Sequence, residues 1–107
     1  MAFDAYDNSI SLLSTLAPLL ARLRAINPKL EDQARRAAVS VSLNIADANQ
    51  RVGKDRRNRF RISLGSAAEV AAALDVAVAL GYLGDRDAAL ARALIDRLRA
   101  MTYRLSR

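Results

Sequence analysis

The sequence has neither cysteine nor histidine. Their absence removes the usual ligands of zinc, haem and iron–sulfur centres, the thiol nucleophile, and the side chain most used as a general base near neutral pH. An enzyme of the common kinds is therefore not expected, and no catalytic residue, metal site or cofactor is assigned. A cysteine-free chain also suits a reducing compartment. Tryptophan is missing, and the aromatics are confined to Phe3, Tyr6, Phe60, Tyr82 and Tyr103, which gives little support to base-by-base reading of a single strand. No apolar run approaches the roughly 18 to 20 residues that span a bilayer. Asp4 and Asp7 stand where a signal peptide would be basic. The expectation is a cytoplasmic protein without a membrane partner.

What is present is arginine. Seventeen basic residues face eleven acidic ones, a net charge of +6, and only Lys29 and Lys54 among the basic ones are lysines. Arginine's fork favours contacts to phosphate or carboxylate, while a high-GC codon bias accounts for the same excess equally well. At 107 residues the chain is long enough for one core without staples, so residues 1–107 are read as one domain. No linker, repeat or low-complexity segment interrupts it.

The apolar spacing is helical throughout. From Asp4 to about Ala25, Tyr6, Ile10, Leu13, Ala17 and Leu20 recur at fours and threes; Pro18 predicts a kink or break near Thr15 to Ala17. Asn27-Pro28 reads as an N-cap followed by a first-turn proline, opening a second helix to about Asn49. Along it a polar line, Gln33, Arg36, Ser40, Asn44, Asp47 and Arg51, lies between apolar flanks. A third helix from about Lys54 to Leu80, stopped by Gly81, carries the seam Phe60, Leu64, Ala67, Ala71, Leu74, Val78. Ile62, Glu69 and Val76, with Ala72, make a second, nearly opposite face. A bundle helix needs only about three apolar positions in seven, so Ile62, Ala72 and Val76 are assigned to an interface with another copy of the chain. Asp85 is expected to cap a fourth helix, roughly Arg86 to Leu105, with Leu90, Leu94, Leu98, Met101 and Leu105 inward. Four helices with short links imply an all-α, antiparallel up-and-down four-helix bundle assembled as a homo-oligomer.

Two constellations carry chemistry. Arg51, Lys54, Arg56, Arg57, Arg59 and Arg61 face Asp55 alone, a local +5. Several crowd the first turns of a helix, where the dipole disfavours cations, and a phosphate would relieve them. Helical phase puts Lys54, Arg57 and Arg61 on one side of Phe60 and Arg56 and Arg59 on the other. These six are the candidate nucleic-acid-binding residues; the competing reading is a solvated, partly ion-paired face. The second constellation, Ser40, Asn44, Asp47, Gly65, Ser66 and Glu69, reads as a structural polar network fixing helix register. Gly65 is expected to permit close helix approach. An Asp47–Glu69 acid–base pair is the enzymatic alternative.

The segments Ala37-Ala-Val-Ser-Val-Ser-Leu-Asn-Ile-Ala-Asp, Arg51-Val-Gly-Lys-Asp-Arg, Phe60-Arg-Ile, Gly65-Ser-Ala-Ala-Glu and Gly81-Tyr-Leu together resemble the four-helix-bundle family named for proteins encoded in intervening sequences of bacterial 23S ribosomal RNA genes. Where that family usually has Asn-Ile-Ala-Glu-Gly, this chain has Asp47 and Ala48. The resemblance implies a homopentamer and a relationship to the basic pentameric accessory proteins of diversity-generating retroelements, which associate with a reverse transcriptase and nucleic acid. It implies no catalytic residues. The function expected is a homo-oligomeric scaffold, a pentamer, binding RNA or DNA backbone, with a protein such as a nucleic-acid enzyme as a further partner. The alternative is a protein-interaction scaffold without nucleic-acid binding.

Overall fold

Apolar residues spaced at threes and fours leave one outcome in a chain this short, helices that bury their stripes on one another. The computed structural model describes residues 2–107, with side chains from Asp4 onward. It contains α1 (Ala2–Ile26), α2 (Pro28–Ala48), α3 (Gly53–Ala79) and α4 (Asp85–Ser106), and no strand among the described residues. α1 packs on α2 and α4, and α3 packs on the same two. The rod is 42 Å long and 22 by 19 Å across, about the length of the 27-residue α3 at 1.5 Å per residue.

The core is Leu12, Leu16 and Leu23 of α1, Val41 and Ile45 of α2, Phe60 and Val70 of α3, and Ile95 and Leu98 of α4. Each such side chain stabilises the fold by about 1.5–3 kcal/mol relative to exposure. Ala37, Ala38, Ala67, Ala77, Ala88 and Ala91 fill further buried positions and let the helix axes approach.

α1 differs from expectation in phase. The buried stripe is Ala5, Ser9, Leu12, Leu16, Leu19 and Leu23, one residue earlier along the chain than the stripe from Tyr6 to Leu20; Ile10 and Ala17 are exposed. Ser9 is what hides this stripe in the sequence. Its hydroxyl donates to the Tyr6 carbonyl at 2.6 Å and accepts from Ser42 at 2.9 Å, so a polar residue sits in the core at little cost. Nor does α1 break near Pro18, because the helix continues through it. Pro18 and Ser14 are both exposed, so water can reach the carbonyl that loses its helical partner.

The chain reverses where the sequence indicates. Asn27 caps α2 by accepting from Leu30 N–H at 3.1 Å. Gly81, at φ 77, ends α3 in the left-handed conformation that glycine adopts without penalty, and Tyr82 N–H bonds back to Ala77 O at 2.8 Å. The α4 start lies one residue earlier than expected. Gly84 is the cap position, and its N–H donates to Asp87 at 3.0 Å. Leu90, expected inside, is 62% exposed; Ala88, Ala91, Ile95, Leu98, Thr102 and Ser106 are the buried residues.

The expectation that no segment could span a bilayer is also corrected. The helices over Asp4–Ile26 and Gly53–Ala79 are long and apolar enough in composition to do so. Alanine raises their hydropathy without producing a continuous run of large apolar side chains.

Candidate nucleic-acid interface

The turn between α2 and α3 brings the end of one helix against the start of the next. Asp47, the last residue but one of α2, lies between two arginines. Its Oδ1 accepts from Arg51 Nε and its Oδ2 pairs with Arg59 Nε, both at 3.0 Å. Arg51 also reaches Asp55 at 4.0 Å. Arg56 lies over the Phe60 ring, 4.9 Å from its centroid, and donates to the Ala48 carbonyl at 3.3 Å. Three of the six candidate cations are therefore held by the fold.

Lys54, Arg57 and Arg61 have no ion pair among the described residues. The division follows the helical phase read from the sequence: the cations on the Arg56–Arg59 side of Phe60 face α2, and the other three face away from it. Val52 caps α3 without a side-chain hydrogen bond, and of these cations Lys54 lies in that first turn, with Arg57 and Arg61 one and two turns further on. On the turn's inner side, Asn49 Oδ1 is buried without a hydrogen-bond partner among the described residues.

Further along, the polar network is partly as expected. Ser40 and Ser66 hydroxyls lie 2.8 Å apart, and Asn44 Nδ2 donates to the Ser40 carbonyl and hydroxyl at 2.9 and 3.0 Å. Ser63, absent from the sequence-based set, is buried and donates to Val41 O at 3.0 Å. Its three-residue spacing from Phe60 and Ser66 was the available signal. Successive contacts, Asp47–Arg59, Val41–Ser63 and Ser40–Ser66, step back along α2 as they step forward along α3.

Two network members stand apart. Glu69 is exposed and lines a groove of about 550 Å³ between α2 and α3, with Gln33, Arg36, Ser40 and Ser66. Ten residues separate it from Arg59, about 15 Å of helix, so Asp47 and Glu69 do not form a carboxylate pair. Gly65 is exposed, and a Cβ built there meets nothing within 4 Å. Within one chain it serves no close helix approach, contrary to expectation.

The second face of α3 is open. Ile62 and Val76 are 40% and 44% exposed, and Ala72 is exposed with them. On α2, Leu43 is 64% exposed and level with Ile62 by the register above, so the apolar strip continues onto the neighbouring helix.

A profile of the 23S rRNA-intervening sequence protein family matches residues 2–104. Among solved structures, a protein of unknown function from the S23 ribosomal protein family of Bacteroides thetaiotaomicron is similar at a TM-score of 0.86. It is 19% identical, with 96% of this chain and 98% of that one covered. That identity speaks to the fold alone. No curated protein matches.

Proposed function

The chain belongs to the 23S rRNA-intervening sequence protein family, and on that premise we propose a homo-oligomeric helical scaffold that binds RNA or DNA backbone through the basic start of α3. The observation that carries this reading is the unequal sharing of counter-charge. Asp47 pairs with both Arg51 and Arg59, whereas Lys54, Arg57 and Arg61 have no ion pair among the described residues, and Lys54 lies in the first turn of a helix whose cap makes no side-chain hydrogen bond. Cations in that position raise the energy of the free protein, and phosphates relieve it.

The scaffold is an antiparallel up-and-down bundle, and its open α3 face, Ile62, Ala72 and Val76, packs on another copy. Five copies, the number the family resemblance implies, repeat a weak site around a ring and add avidity. The apolar lengths of α1 and α3 face protein, not lipid. In α3 the apolar run is interrupted by Ser63 and Ser66, which bond to α2, and by Glu69 and Asp75. In this reading the protein is cytoplasmic and non-enzymatic, and a nucleic-acid enzyme is its protein partner.

Fluorescence anisotropy with a labelled oligonucleotide tests the proposal. Affinity should fall steeply and log-linearly with salt. Absence of binding at low salt rejects it. A scaffold that binds only protein is favoured by the structural use of Arg51, Arg56 and Arg59. If Arg56→Ala, Arg57→Ala and Arg59→Ala together dissolve the oligomer and leave oligonucleotide affinity unchanged, that second reading stands.

A further inference from the structure

Arg57 and Arg61 share a side of α3 with Leu64 and Asp75, the residues that meet α4. The contacts between these helices run from Arg92 pairing with Asp75 at 3.0 Å to Leu64 sharing a groove of about 370 Å³ with Arg99, Ala100 and Tyr103. Moving toward the start of α3 therefore means moving toward the end of α4. Arg61 lies one turn beyond Leu64 and Arg57 two turns beyond it, level with Tyr103 and Arg107. Tyr103 is 55% exposed, and no other aromatic with a described side chain is classed as exposed. The Arg107 guanidinium stands over its ring, 5.7 Å from the centroid. No carboxylate pairs with Arg57, Arg61, Arg99 or Arg107 among the described residues. Asp96 sits at the groove's inner end and confines the anion-attracting stretch to the end near Arg61 and Arg107.

We infer that this α3–α4 face binds single-stranded nucleic acid: Arg57, Arg61, Arg99 and Arg107 hold consecutive phosphates, and the Tyr103 ring stacks one unpaired base. The inference rests on the nucleic-acid reading above and moves its centre from the α2–α3 turn to the neighbouring pair of helices. Charge complementarity selects a polyanion. The exposed ring beside a groove selects a strand whose bases are free, because every base offers a π face and a duplex hides it. A single aromatic per protomer gives stacking without a sequence code.

The test is anisotropy with labelled oligothymidine, oligouridine and a duplex of the same length, using wild type, Tyr103→Ser, Tyr103→Phe and Arg61→Ala. Tyr103 is exposed, so the substitutions should leave the helical circular dichroism unchanged. Tyr103→Ser should weaken both single strands about ten-fold and leave the duplex unaffected; Tyr103→Phe should restore wild-type affinity. Arg61→Ala should weaken all three and reduce the salt slope by about one. If the wild type binds in a salt-dependent manner but Tyr103→Ser binds single strands equally well, this inference is overturned and the general nucleic-acid reading survives. If the wild type binds none of the three, both fail.

Discussion

Ser40 of α2 and Ser66 of α3 place their hydroxyl oxygens 2.8 Å apart, and Asn44 donates to Ser40 from the following turn. Buried hydroxyls without partners are costly, so this pair specifies which turns of the two helices lie level. Removing one hydroxyl should cost about 1 kcal/mol. We expect Ser66→Ala to be destabilised by that amount in urea denaturation. A double-mutant cycle with Ser40→Ala should show coupling; strictly additive effects would mean the contact does no stabilising work.

Asp47 holds Arg51 and Arg59 on a surface where both partners are more than a third exposed. Pairs of this kind contribute about 0–1 kcal/mol each. Asp47→Asn should therefore cost little stability while releasing two cations, and oligonucleotide affinity should rise. Lower affinity would mean that the carboxylate orients the arginines for binding instead of withholding them.

Gly65 separates the single chain from the assembly. In an isolated bundle, Gly65→Ala places a methyl group in open space and should stabilise α3 by about 1 kcal/mol. In the proposed oligomer the same methyl enters the contact between copies. The variant should unfold at higher denaturant when dilute yet associate more weakly, as read by sedimentation velocity. Unchanged association would exclude Gly65 from the interface.

Asp87 gives a pH signature. The Gly84 N–H, then the Arg22 guanidinium, hold its carboxyl below the usual aspartate range. The folded pKa thus lies below the unfolded one. Its stabilisation is complete above the unfolded value, about 3.9, and is lost as pH falls through the folded value. Asp87→Asn should melt below wild type at neutral pH, and the gap should close in acid. A constant gap would assign the effect to something other than charge.

Much of the architecture was legible because it rests on spacing and on residues with one local role. Asn27-Pro28 could only begin a helix, and Gly81 could only end one. The phase of the cations around Phe60 already separated those that α2 holds from those it does not. What escaped notice were polar residues satisfied from a neighbouring helix. Ser9 and Ser63 are core residues because hydroxyls from Ser42 and a carbonyl from Val41 reach them, and no periodicity rule counts serine as apolar. Leu90 failed in the opposite direction: its hydrophobicity placed it inside, whereas the smaller Ala88 and Ala91 occupy the buried positions. Tyr103 was counted as one of too few aromatics. Its significance depends on the cations that α3 brings beside it, a relationship between distant parts of the chain.

The central claim is that the apolar strip formed by Ile62, Ala72 and Val76 is covered by another copy. The most direct measurement is the solution mass of the unliganded protein across a dilution series, by light scattering on wild type and Val76→Asp. Val76 is 44% exposed in the single chain, so the substitution leaves the core intact. The account predicts a wild-type mass near five times the 11.6 kDa protomer and a folded Val76→Asp that falls apart. A wild type that stays at 11.6 kDa throughout the series would contradict it.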